Sequence, residues 1–201
     1  MKRKILSLCL LLGLAAALVL GAQAAQDGQA LACSLVRLHV IAASDSQRDQ
    51  QLKLQVRDAV LDALPELPEG CGVEMAIPAL RAALPELARA ASDTLEQAGA
   101  EERVTVRLCT EQYPARDYGT FALPAGEYVS LQVRIGAAEG HNWWCVVYPN
   151  LCRAASTDVF RMEAAAAGLS SGQMRLMTVD SGSVQFRFRF LELLQKLRAL
   201  F

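Results

Sequence analysis

The apolar positions of this chain change period several times, and each change marks an element. Leu35-Val36-Arg37-Leu38-His39-Val40-Ile41 alternates, with Val36, Leu38 and Val40 on one face and Arg37, His39 and Ile41 on the other. That pattern predicts a strand with one buried face. Ala42-Ala43-Ser44-Asp45-Ser46 is the turn out of it, and Ser46 with Asp49 makes an S-x-x-D cap that starts a helix near Gln47. Leu52, Val56, Ala59, Val60 and Ala63 form one stripe of this helix, Lys53 and Arg57 lie on another side, and Pro65 stops it. Residues 64–72 carry two prolines and two glycines and read as a loop. A second helix is predicted from about Pro78 to Ala98, with Leu80, Leu84, Leu87, Ala91 and Leu95 on one face and Gly99 as its stop. Pro85 predicts a kink there, or two helices meeting, because an interior proline loses a hydrogen bond and collides with the preceding turn.

Three more strands follow by alternation: Arg103 to Cys109, Tyr128 to Ile135, and Trp143 to Tyr148. Leu123-Pro124-Ala125-Gly126 fits a type I turn between paired strands. The order strand, helix, helix, strand, strand, strand predicts an α/β fold. Two amphipathic helices and a one-sided sheet pair off as a two-layer sandwich, with a mixed or antiparallel sheet of about four to five strands covered by two helices. From Arg153 to Gly182 the periodicity is weak and predicts a short helix plus loop. Val184 to Phe190 alternates again, and Leu191 to Phe201 turns helical in period. A terminal strand of that kind suits docking on a sheet edge, or strand addition to a partner.

The first residues are different in kind. Lys2-Arg3-Lys4, the apolar run from Ile5 to Leu20 and the small-residue stretch Gly21-Ala22-Gln23-Ala24 read as a secretory signal cleaved before Ala25, with an uncleaved N-terminal anchor as the alternative. The organisation is then residues 1–24 as signal peptide or anchor, 25–34 as a short linker, 35–152 as the α/β domain and 153–201 as a C-terminal extension. A length of 201 residues and 53% hydrophobic content suit one domain with extensions. The net charge of −1 and the lack of a basic stripe exclude a nucleic-acid partner.

Chemistry concentrates in Gly140 to Cys152, which holds both tryptophans, His141, Cys145 and Cys152. Adjacent Trp143 and Trp144 point to opposite faces of an extended backbone, and Pro149 ends the strand. Cys145 and Cys152 are spaced so that a disulfide is permitted but not required. Cleavage at Ala25 leaves Cys33, Cys71, Cys109, Cys145 and Cys152, an odd number and not a disulfide scaffold. A cysteine-dependent enzyme would use Cys145 as nucleophile with His141 or His39 as base. Four extended residues separate His141 from Cys145 by about 13 Å, beyond hydrogen-bond reach without a turn, and His39 can approach only if its strand is a neighbour. A metal site from His39, His141, Cys145 and Cys152 lacks C-x-x-C spacing and ranks lower. No Gly-rich phosphate loop, H-E-x-x-H or G-x-S-x-G is present, so neither a metal nor a cofactor is expected. Aromatic and arginine residues around this stretch suit a protein-binding hot spot better.

Arg37 to Ser46, Asp49-Gln50 and Leu52 to Val60 closely resemble the opening of the stage II sporulation protein R family. Tyr113 to Gly119, Leu123 to Tyr128, Arg134-Ile135-Gly136, Gly140 to Cys152 and Arg187-Phe188 to Glu192 are similar to its remaining blocks. Two positions depart: the family usually has glycine where this chain has Ala138, and proline where it has Asn150.

The resemblance implies a signalling protein rather than an enzyme, made in the forespore and exported into the space between forespore and mother cell. Its implied partner is a membrane-bound aspartic protease on the mother-cell side, which cleaves the precursor of sigma factor E. The partner surface expected on this chain comprises the turn around His39, Ser44 and Asp45 and the segment bearing Arg116, Tyr118, His141, Asn142, Trp143 and Trp144. Gly136, Gly140, Pro124 and Pro149 read instead as backbone requirements. The alternatives are an exported cysteine-dependent hydrolase using Cys145 and a purely structural exported domain.

Overall fold

Val36–Ile41 forms the strand its alternation predicts, β1, and it lies inside a sheet. The computed structural model describes residues 2–66, 72–152 and 156–178. In chain order it holds helix α1 (Lys2–Ala32), β1, α2 (Gln47–Asp62), α3 (Gly72–Gln97), β2 (Val104–Tyr113), β3 (Arg116–Asp117), β4 (Ala122–Leu123), β5 (Gly126–Ile135), β6 (Asn142–Tyr148), α4 (Thr157–Ala166) and α5 (Ser171–Met177). The main sheet has four strands in the order β2-β5-β1-β6. β1 runs parallel to β5 and antiparallel to β6, and β2 is antiparallel to β5, so the sheet is mixed.

One face of that sheet meets α2 and α3, giving the expected sandwich. Val36, Leu38 and Val40 join Leu131, Val133, Cys145 and Val147 beneath Leu52, Val56 and Val60 of α2 and Leu80, Leu87 and Leu95 of α3. Burying one such Val or Leu side chain contributes roughly 1.5–3 kcal/mol. α2 starts where its cap predicts: Ser46 Oγ accepts from the Asp49 amide at 3.1 Å. Lys53, off the apolar stripe, is nonetheless buried, its Nζ donating to Gln50 Oε1 at 2.6 Å and to the His141 carbonyl at 3.0 Å.

α3 begins at Gly72, six residues before the expected start, and runs as one helix through both prolines. Pro78 and Pro85 are exposed, opposite the buried stripe of Ala76, Leu80, Leu87, Ala91 and Leu95. Carbonyls that lose a partner on that side can bond water, so packing of the stripe outweighs the proline penalty. Gly99, at φ +65°, ends the helix as expected. Of the expected loop over 64–72, residues 67–71 lie outside the described residues.

The second face is where pattern reading falls short. β1 is covered on both sides: Arg37 is fully buried and Ile41 nearly so. A second cluster, with Leu31, Leu35, Tyr113, Phe121, Leu123, Tyr128, Val146, Phe160, Leu169 and Met177, closes over the end of the sheet that carries Arg37. It draws on the end of α1, the β3–β4 hairpin, α4 and α5. Residues 25–32, expected as linker, continue α1 and bury Leu31 and Ala32. The 123–126 turn joins β4 to β5, which belong to different sheets, because β4 pairs with β3. The stretch after Arg153 forms two capped helices among the described residues, α4 on Ser156 and α5 on a Ser170–Gln173 capping box. The terminal strand expected at 184–190 and the helical period after it lie outside the described residues.

Candidate functional site

Trp143 and Trp144 sit at the start of edge strand β6 and take opposite faces, as adjacent strand residues must. Trp143 stands opposite Val40 on the helix side, 38% exposed, with the Arg57 guanidinium 4.3 Å from its ring centroid. Trp144 stands opposite His39 on the other side, its ring 5.6 Å from the imidazole and 4.5 Å from the Arg116 guanidinium. Each tryptophan is therefore covered by one arginine, at the distance of a cation–π contact.

His39 is the centre of the Trp144 side. Its Nδ1 lies 3.0 Å from Glu111 Oε1 and its Nε2 lies 3.0 Å from Asn142 Oδ1. Both ring nitrogens thus face side-chain oxygens, and with the Asn142 amide turned Nε2 meets its NH2 instead. Gln132 Nε2 also donates to Glu111 Oε1, and Arg107 Nε donates to Gln132 Oε1 at 2.8 Å. Burial of the Glu111 carboxyl favours its neutral form, but hydrogen bonds from Ser130, His39 and Gln132, with the charge of His39, outweigh it and hold its pKa below the usual value.

The turn after β1 meets the loop before β6. Asp45 Oδ1 accepts from both the amide and Nδ1 of His141, and these hydrogen bonds lower the Asp45 pKa. Gln50 Nε2 donates to the Ser44 carbonyl at 2.9 Å, and Ser44 Oγ donates to Asp49. The Gly140 amide donates to the Ala42 carbonyl at 3.0 Å. A Cβ on Gly140 would lie 2.2 Å from the Ser44 carbonyl oxygen, so glycine is required there for a backbone reason.

The expected surface residues thus fall into two contiguous groups. His39, Asn142, Trp144 and Arg116 form one, and Ser44, Asp45 and His141 form the other, with Asn142 next in sequence to His141 and Trp143 on the far side of the strand. Tyr118 departs from this picture. It lies half-buried in the loop of the β3–β4 hairpin, with its hydroxyl accepting from Nη2 of Arg37. Glu111, Arg107 and Gln132 were missed by sequence reasoning. Glu111 falls beyond the expected end of its strand at Cys109, although the continuing alternation to Tyr113 could have extended it.

Arg37 was read only as a strand neighbour of His39. Its guanidinium lies 3.9 Å from the Tyr113 ring centroid, 4.9 Å from Tyr128 and 5.8 Å from Tyr118. Burial pushes the phenol pKa of all three tyrosines up, so they are neutral neighbours.

Cys145 and Cys152 are joined by a disulfide, with Cα atoms 5.4 Å apart. Cys145 lies in the helix-side core, whereas His39 projects from the opposite face despite its strand being a neighbour. With Cys145 in a disulfide and His39 on the opposite face, this geometry does not bring a free thiol and the His39 base together. Cys109 is a free thiol, but burial first and the Glu111 charge second push its pKa up and disfavour the thiolate. Among the described residues no group of three or more His, Cys, Asp or Glu could hold a metal.

The family model for stage II sporulation protein R matches residues 32–158, a span that contains every residue of both groups. The stage II sporulation protein R of Bacillus subtilis (strain 168) is 38% identical over 118 residues, covering 58% of this chain and 53% of that protein. The matched region therefore spans about half the length of that relative. No solved structure matches. With well over half of its length matched by the family model, this chain belongs to the stage II sporulation protein R family.

Proposed function

We propose that this chain is an exported sporulation signal, released into the space between forespore and mother cell, that activates a membrane-bound aspartic protease and so triggers processing of the sigma-E precursor. The family match over residues 32–158 is the observation that carries this reading. An apolar N-terminal helix, long enough by length and composition to cross a membrane over Leu11–Ala32, supports export. Cleavage before Ala25 leaves Leu31, Ala32 and Leu35 in the mature chain, where they are buried against the domain.

The binding surface in this reading centres on Trp144, Arg116, His39 and Asn142, with Asp45 and His141 beside them. Trp and Arg are the residue types that carry most binding energy at protein interfaces. Half-buried Glu111, itself held by buried Gln132, orients His39 before any partner arrives, which lowers the ordering cost of binding. To activate a protease the surface must bind its active state more tightly than its inactive state.

The test uses a sporulating host that lacks its own family member and carries the cognate protease. The exported wild-type chain and its Cys145→Ser form are compared for processing of the sigma-E precursor. Both should restore processing, provided the variant is exported and folded. Restoration by the wild type alone would move the reading to cysteine chemistry, and restoration by neither would refute the signalling role.

A further inference from the structure

Arg37 is fully buried, and its Nε and Nη1 have no hydrogen-bond partner among the described residues. Among the described residues no carboxylate forms an ion pair with it. Its surroundings are the three tyrosine rings and the apolar second cluster. A buried charge is ordinarily paired or heavily hydrogen-bonded, and here cation–π contacts and one neutral hydroxyl stand in for the missing anion.

One of the three rings differs from the others. Tyr113 and Tyr128 are buried on sheet strands, whereas Tyr118 is half-buried in the hairpin loop between β3 and β4. Those strands have two residues each, and the ring is held by stacking on Phe121 at 4.8 Å and by the Arg37 hydrogen bond. The hairpin itself is anchored by buried Phe121, Ala122 and Leu123, so the half-buried Tyr118 side chain is the part that turns away at low cost.

We infer that Arg37 is a carboxylate-binding residue, covered by the Tyr118 ring, whose occupant is an Asp or Glu side chain of a bound protein that turns this ring aside. The exchange is one of hydrogen bonds: Tyr118 Oη leaves Nη2, and the two carboxylate oxygens accept from Nη2 and Nη1. A planar carboxylate matches the guanidinium fork and fits between flat rings. Arg116, exposed on β3 two residues before Tyr118, adds a positive charge to the same hairpin. The site rests on this geometry alone and extends the signalling reading by naming what the partner inserts.

The full exported chain is titrated with N-acetyl-tetraglutamate amide, with the tetraglutamine peptide as control, while the Arg37 Nε–Hε resonance, assigned through its own backbone, is followed by NMR. The glutamate peptide should shift this resonance saturably and the glutamine peptide should not. Tyr118→Ala should bind at least fivefold more tightly, because the competing cover is gone, and Arg116→Gln should weaken binding while leaving the shift at saturation in place. A resonance that does not move in the wild type or in Tyr118→Ala overturns the site, as does an equal shift with glutamine. Absence of peptide binding with intact sigma-E processing refutes this site only; intact binding without processing refutes the signalling reading only.

Discussion

The imidazole of His39 reaches across the whole width of β5 to the carboxylate of Glu111 on β2, with Nδ1 3.0 Å from Oε1. The pair ties an inner strand to an edge strand on the face away from α2 and α3. Because the folded protein holds the Glu111 pKa below its unfolded value, the charged carboxylate contributes stability above the unfolded pKa, and that contribution is lost as pH falls through the lower folded pKa. Glu111→Gln should therefore cost about 1.5–3 kcal/mol at neutral pH, the range for a hydrogen bond to a charged group. Denaturant unfolding across pH checks this. The gap between wild type and variant should narrow below about pH 4, and a gap that is constant with pH would contradict the assignment.

Gly140 is fixed by the approach of the Ser44 carbonyl. Gly140→Ala should destabilise the domain by about 1–3 kcal/mol, the usual cost of forcing extra volume into a closed contact. The measurement is urea unfolding together with the amide signals of Ser44 and His141. An unchanged midpoint would mean that the turn after β1 and the loop before β6 do not meet as described.

Ala138 has a left-handed backbone, φ +55°, a region that favours glycine. A side chain there costs roughly 1–2 kcal/mol, partly offset by the greater freedom of glycine in the unfolded chain, roughly 0.5–1 kcal/mol. Ala138→Gly should raise stability by about 0.5–1 kcal/mol. A calorimetric Tm that falls would show that this loop is not in the left-handed region.

How much of this was legible in the sequence follows from what each residue meets. Ser46 announces α2 because a helix cap is local chemistry, readable within four residues. The opposite orientations of Trp143 and Trp144 follow from strand geometry alone. The burial of Arg37 was not legible, since period-2 alternation shows which residues share a face but not what later covers that face. The cover comes from Leu31, Phe121 and Phe160, residues up to 123 positions away along the chain. Pro78 did not reveal that α3 begins at Gly72, because proline suits a first helical turn as well as an exposed face opposite a buried stripe. The burial of Lys53 was not legible because its acceptor, the His141 carbonyl, lies 88 positions away.

The measurement closest to the central claim is sigma-E precursor processing in the host without its own family member, supplied with the exported Arg116→Glu, Trp144→Ala double variant. Arg116 is exposed and Trp144 is half-buried, so the fold should survive, with the Cys145–Cys152 disulfide retained and an unchanged amide spectrum away from the site. Loss of two interface residues of these types should lower processing by on the order of thirtyfold or more, the scale of a hot spot worth about 2 kcal/mol or greater. Processing at the wild-type level by a folded, exported double variant would contradict the account and place the partner surface elsewhere on the chain.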